Sequence, residues 1–207
     1  MLLDITELVK KHNLDLTNIL HVGAHTAKEY DEYVRLGAKK IHWVEAHDKS
    51  YSLLKKRLLG PVNKVSCAVI SDKDNEEVTF NVTNNRQSSS ILNLGEHKEL
   101  FPKIHFTDKI KKKTTTIDTL LQDTHLDENI NLIVIDIQGA ELLALKGAEK
   151  TLRNTDALML EINTRKVYED CCLVDEIDEY VKQFGFERVA TGFYSDHPWG
   201  DALYIKK

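Results

Sequence analysis

Apolar runs of strand length alternate with amphipathic stretches along the first third of the chain. Residues 19–24 form the first such run, and 40–46 and 62–70 read as a second and third strand. Between them apolar side chains recur at helical spacing: Tyr30, Tyr33 and Val34 ahead of Gly37, then Tyr51, Leu54, Leu58 and Leu59 ahead of Gly60. An apolar run without alternation suits a strand covered on both faces, and the 3.6-residue period suits a helix laid against it. The resulting strand–helix rhythm predicts a parallel sheet with crossover helices. Thr26 is placed to cap the first crossover helix with Glu29 as its box partner, and Asp48 to cap the second. Ahead of all these, Ile5, Leu8 and Val9 share one face of a short helix over 4–12, expected to lie across the sheet as a cap.

The rhythm changes after Ser71. Residues 77–83 alternate and predict an added strand, followed by a polar insertion over about 84–115. A long irregular stretch inside an α/β domain is more often functional than idle, and Ile91, Leu92, Leu94 and Phe101 argue that part of it packs. A short helix is expected over 116–121. Then come the most apolar strand of the chain (131–137), a continuous amphipathic helix (139–152), a strand (157–162), a helix (174–184) stopped by Gly185, and a closing pair of strands (186–192 and 201–205). These elements predict one domain over 1–207, an α/β fold with a doubly wound, mostly parallel sheet.

Composition narrows the partners. With 207 residues, 42% hydrophobic and 29% charged, the chain has the make-up of a soluble globular domain. Its net charge of -5 implies no basic face, so no nucleic acid is expected as partner. The one basic run, at 109–113, reads as a solvated loop or strand edge, with a phosphate-binding patch as the alternative. Cys67, Cys171 and Cys172 are an odd number, which suggests reduced, structural thiols. The start of the chain has no basic segment followed by a long apolar one; no membrane association is expected, and a cytoplasmic location is.

Candidate chemistry gathers where strands end. Ligands of open parallel sheets bind beyond the carboxyl ends of the strands, and Gly23, Glu45, Asp136 and Glu161 all fall there. Gly23 is expected to turn tightly where a side chain would meet a ligand, with backbone N–H groups pointing outward. Glu45 suits the two hydroxyls of a ribose; the plain alternative is a surface ion pair with Lys49. The turn Gly23-Ala24-His25-Thr26-Ala27 lacks the Gly-x-Gly-x-x-Gly spacing a pyrophosphate needs. It permits a nucleoside without phosphates, such as S-adenosylmethionine.

His-Val-Gly-Ala-His-Thr-Ala-Lys-Glu at 21–29, Trp-Val-Glu-Ala at 43–46, Ala-Val-Ile-Ser-Asp at 68–72, Gln-Ser-Ser-Ser-Ile-Leu at 87–92, and Ile-Asp-Ile-Gln-Gly-Ala-Glu-Leu with Leu-Lys-Gly-Ala at 135–148 together resemble the FkbM family of methyltransferases. The resemblance runs from about Ile19 to the final strand, and the block around Asp136 and Glu141 is its most specific part. It implies a class I methyltransferase fold, a Rossmann-like sheet of seven strands with the last antiparallel, that uses S-adenosylmethionine. It also implies methylation of hydroxyl oxygens, often on sugars. By position, Gly23, Ala24 and His25 would line the methionine part, with Glu29 closing that side. Glu45 and Ala46 would face the ribose, Cys67, Ala68 and Asp72 the adenine, and Asp136 the methyl donor. His21 stands where many methyltransferases carry an acid, and Ala27 replaces a common glycine, so the turn is expected to be slightly wider.

Methyl transfer to a sugar hydroxyl needs an aligned oxygen and a base for its proton. Asp136 is the first candidate. His25 is the second; its other reading is a turn residue that satisfies backbone groups. Alternatively Asp136 and Glu161, with Asn163, would share a divalent cation such as magnesium. Ser88, Ser89 and Ser90 offer neutral hydrogen bonds to a sugar or glycoconjugate acceptor, or form an ordinary polar loop. His97, His105, His197 and Trp199 would border that acceptor or simply pack. The rival functions are methylation of another small-molecule oxygen or nitrogen, and a catalytically silent adenosine-binding domain.

Overall fold

The computed structural model describes residues 2–207. The first third is α1 (Ile5–His12), β1 (Asn18–Val22), α2 (Tyr30–Arg35), β2 (Lys40–Glu45), α3 (Asp48–Arg57) and β3 (Asn63–Cys67). The middle holds β4 (Val69–Ile70), β5 (Glu77–Thr83), α4 (His97–Leu100), β6 (Phe106–Thr115) and α5 (Ile117–Leu120). The last third is β7 (Ile130–Ile135), α6 (Glu141–Lys146), α7 (Glu149–Arg153), β8 (Thr155–Asn163), α8 (Val174–Lys182), β9 (Phe186–Phe193) and β10 (Trp199–Lys206).

Seven strands form the main sheet in the order β3-β2-β1-β7-β8-β10-β9, and β10 runs antiparallel to both its neighbours. The order in which strands are added reverses between the parallel neighbours β1 and β7, the switch point at which α/β sheets open a crevice. Both faces are covered, as the apolar runs require. Leu20, Ile133 and Leu158 pack under Leu145, Leu152 and Ile177 on one face. Ile19, Leu132 and Met159 pack under Ile5, Leu8 and Tyr33 on the other, so α1 is the cap its pattern predicts. Each such side chain contributes roughly 1.5–3 kcal/mol by leaving water.

Several local expectations need correction. α2 starts at Tyr30 and Glu29 makes no side-chain cap, because His25 and Ala27 take left-handed φ values of 44° and 49° that a helix from 27 onward could not accommodate. Val34 is exposed; Tyr33 is fully buried in the core and Tyr30 packs partly buried beside it. His47, not Asp48, caps α3: its Nδ1 accepts from the Ser50 amide at 3.4 Å. The strand expected over 62–70 splits at Ala68, whose amide bonds to the Glu45 carbonyl, and β4 leaves to join β6 and β5 in a second sheet. The basic run lies on β6, paired with β5 but open on its other side, since β4 reaches only Thr114 and Thr115.

The helix expected over 139–152 breaks at Gly147. A Cβ there would lie 2.2 Å from the Ser71 carbonyl oxygen. Gly147 gives its own carbonyl to the Asp118 amide, and the Asp118 carboxylate takes the amides of Lys150 and Thr151 at 3.0 and 2.9 Å, starting α7 afresh. Among the described residues no helix is long and apolar enough to cross a membrane.

Candidate active site

Gly23 stands at the end of β1 with φ +89°, and a Cβ there would lie 1.8 Å from the Asp136 carbonyl oxygen. The absence of a side chain is therefore what lets the β1 and β7 ends meet, and Gly23 also borders the cleft beside them. The outward-pointing amides expected of this turn are also spoken for. Gly23 and Ala24 donate to the Val44 carbonyl at 2.9 and 3.0 Å, and His25 donates to Glu45 at 2.7 Å. No phosphate cradle is left, in keeping with the missing glycines.

Glu45 closes β2 and spans the turn. Its Oε2 accepts from His25 and its Oε1 from the His47 amide, both at 2.7 Å. Burial raises its pKa, and the loop amides oppose that rise. Among the described residues no ion pair joins it to Lys49. Its carboxylate borders a cleft of about 570 Å³ whose walls are mostly apolar, Val44, Ala46, Ala68, Val69 and Phe80 among them.

A second cavity of about 1080 Å³ adjoins the first, and Gly23, His25, Gln87, Asp136 and Gln138 border both. Asp136 follows β7 and is held by the Gln138 amide at 2.7 Å, while the same nitrogen donates to Glu161 at 3.1 Å. Burial raises the pKa of Asp136, and burial with the charges of Asp136 and Glu141 pushes Glu161 well up. Tyr168 donates its hydroxyl to the Gln138 side-chain oxygen, Oε1, at 2.6 Å. Gln138 itself has φ 60°, a left-handed conformation that costs a non-glycine residue roughly 1–2 kcal/mol.

A family model described as Methyltransferase FkbM domain matches residues 21–188. The chain belongs to the FkbM methyltransferase family. It is 24% identical over 160 residues to the 2-O-methyltransferase NoeI of Sinorhizobium fredii, a match covering 73% of this chain and 65% of that protein. Its fold is similar to methyltransferase FkbM from Methylobacillus flagellatus, with a TM-score of 0.57, 14% identity, and coverage of 91% of this chain and 43% of that one. It is also similar to magnesium protoporphyrin IX methyltransferase from Synechocystis with bound SAM, with a TM-score of 0.52, 10% identity, and coverage of 98% and 76%. The chain thus spans less than two thirds of NoeI and under half of the Methylobacillus protein.

In this FkbM protein the expected cofactor residues divide. Gly23, His25, Glu45, Ala46, Ala68 and Asp136 border the smaller cleft. His21 does not: it is buried on β1, 3.2 Å from the Tyr33 hydroxyl with its ring tilted against that of Trp43 at 5.0 Å, and burial lowers its pKa to about 4. Ala24 is buried in the core beneath the turn, and Glu29 stands at the head of α2. Cys67 is exposed and donates to Asp48, and Asp72 accepts from Ser71; neither borders the cleft.

On the acceptor side Ser88, His97, Glu161 and Trp199 border the larger cavity, whereas Ser89 and Ser90 face the smaller one. His105 folds back on Lys103, and His197 stacks on Trp199 with centroids 4.3 Å apart. Sequence reasoning gave no role to Gln138, Tyr168, Gln87 or Asp201, which the fold brings to the larger cavity. Gln138 carried a faint signal, a long polar residue directly before a glycine at a strand end. Tyr168 carried none.

The donor set does not fit magnesium. Amide N–H donors stand between Asp136 and Glu161, where a cation would need acceptors. Among the described residues no three His, Cys, Asp or Glu side chains gather as a metal-ligating set.

Proposed function

We propose that this protein is an S-adenosylmethionine-dependent O-methyltransferase acting on a hydroxyl of a sugar or glycoconjugate. The observation that carries this reading is the pair of adjoining cavities with Asp136 and His25 on their common border. The smaller cleft has mostly apolar walls that suit a purine, with a carboxylate at its edge for two ribose hydroxyls. The amides of the Gly23 turn are already bonded within the protein, which favours a nucleoside without a diphosphate. NoeI, a 2-O-methyltransferase by name, supports oxygen as the acceptor atom.

When bound, S-adenosylmethionine supplies a methyl group already activated on a sulfonium. The chain must hold an acceptor oxygen in line and take its proton. Asp136 is the base we favour. Burial makes it more basic than an ordinary carboxylate, and its hydrogen bond to Gln138 fixes where it points. His25 is the second candidate, since burial lowers its pKa from 6.5 and leaves a neutral imidazole at physiological pH. Ser88, Gln87 and Asn85 offer neutral polar groups, and Trp199 and Phe101 an aromatic wall, in a cavity suited to a hydroxyl-rich ring. The free thiols agree with a reducing compartment such as the cytoplasm.

Two measurements test the reading. Calorimetry is expected to find binding of S-adenosylmethionine and none of NAD. Incubation with isotopically labelled cofactor and a panel of glycosides, read by mass and methyl position, is expected to find a methylated hydroxyl. Cofactor binding without transfer to any acceptor would leave the silent adenosine-binding domain as the better description.

A further inference from the structure

The loop after β7 is strained, and what locks it lies 30 residues further along the chain. The Gln138 amide has one consistent orientation. Its oxygen accepts from the Tyr168 hydroxyl at 2.6 Å, and its nitrogen donates to Asp136 at 2.7 Å and to Glu161 at 3.1 Å. Turned over, the amide would set its oxygen against the Asp136 carboxylate.

The backbone of Gln138 is held from both sides. Ser90 Oγ donates to its carbonyl at 2.9 Å, and Glu141 accepts the amides of Ile137 and Gly139 at 3.0 and 3.1 Å. A left-handed residue fixed from several directions marks a place where position matters. Tyr168 is itself buried, bridges to Leu94 of the insertion, and packs its ring 5.5 Å from that of His97. Burial holds its phenol well above the usual value, so it stays a donor across the physiological range.

Building on the methyltransferase reading, we infer that Tyr168 is a positioning residue for methyl transfer. It orients Gln138, which in turn holds Asp136 and Glu161 in a single arrangement. The same contact ties the acceptor-side insertion to the base, so that the two walls of the larger cavity move as one.

A double-mutant cycle tests this. Tyr168→Phe, which removes one hydroxyl, is expected to lower kcat roughly ten- to a hundredfold through misplacement of the base. Acceptor KM is expected to stay within about twofold. Gln138→Ala is expected to lower kcat by a similar factor, and the double variant no further. Additive losses, or a normal kcat in Tyr168→Phe, overturn the inference.

A second measurement needs no turnover. The side-chain amide protons of Gln138, followed by NMR, are expected to exchange slowly in the wild type and quickly in Tyr168→Phe. Fast exchange in the wild type, or no change in the variant, overturns the inference as well. Failure to bind S-adenosylmethionine would overturn the functional reading, while the exchange result would still decide whether Tyr168 fixes Gln138.

Discussion

Glu45, at the end of β2, and Glu141, at the start of α6, each spread one carboxylate across two loop amides. Glu45 gives one oxygen to each, His25 and His47, and keeps the rest of its acceptor capacity toward a cleft. Glu141 gives Oε1 to both Ile137 and Gly139, while its Oε2 is buried without a hydrogen-bond partner. Burial raises the pKa of Glu45, opposed by its loop amides, and lifts that of Glu141 to about 7. Two acids with the same backbone task therefore differ in what remains available to a ligand. An acid near a strand end is a site residue only where some of its lone pairs still face open space.

The sharpest test of that contrast is at Asp136, the acid between the two. Asp136→Asn keeps the shape of the side chain and removes the base. Turnover is expected to fall by about 10²–10⁴-fold with S-adenosylmethionine affinity nearly unchanged. Normal turnover would move the base to His25.

Next in size is Glu141. Glu141→Ala leaves two loop amides without an acceptor, at a cost of about 1–3 kcal/mol for each, read as a fall in Tm or in the denaturant midpoint. Glu141→Gln keeps an oxygen for both amides and abolishes the titration. The pKa of the native group lies above its unfolded value of 4.5, at about 7. Its proton thus favours the folded state, a contribution fully present below pH 4.5 and lost as the pH rises to 7. Glu141→Gln is expected to flatten that decline, and an unchanged stability–pH curve would show that the carboxylate is not strained by burial.

These two acids also mark how far the sequence could be read. The strands were legible because a strand covered on both faces is apolar along nearly its whole length, as β7 is at every position but Asn131. The split at Ala68 and the break at Gly147 were not. Each is decided by a partner far off in the chain, the Glu45 carbonyl in one case and Ser71 with Asp118 in the other. Within the site, acids at strand ends stood out, and three of them do border the cavities. The direction of the turn amides was misjudged, because only the folded sheet brings the Val44 carbonyl and the Glu45 carboxylate against them. Tyr168 reaches Gln138 through tertiary packing, for which no local pattern exists.

Glu45 against Glu141 can be separated on affinity. A hydrogen bond to a charged acceptor is worth about 1.5–3 kcal/mol and a neutral one about half that. Glu45→Gln is therefore expected to weaken S-adenosylmethionine binding roughly tenfold by calorimetry. Glu141→Gln is expected to leave the same constant alone. Equal losses in the two variants would mean that both acids act only by shaping their loops, and the contrast drawn between them would fail.

The smallest effect belongs to the far wall. Trp199 borders the larger cavity and is braced by Phe101 at 5.2 Å and His197 at 4.3 Å between ring centroids. A ring held this way presents a fixed face at little entropic cost, and aromatic contacts contribute about 0.5–1.5 kcal/mol beyond the area they bury. Trp199→Ala is expected to raise acceptor KM by roughly two- to tenfold, with the cofactor constant untouched. An unchanged KM would remove the aromatic wall from the acceptor site and reduce Trp199 to a brace for the β9–β10 turn. A rise in the cofactor constant instead would mean that the two cavities are divided differently, with the nucleoside reaching past Asp136 to that wall.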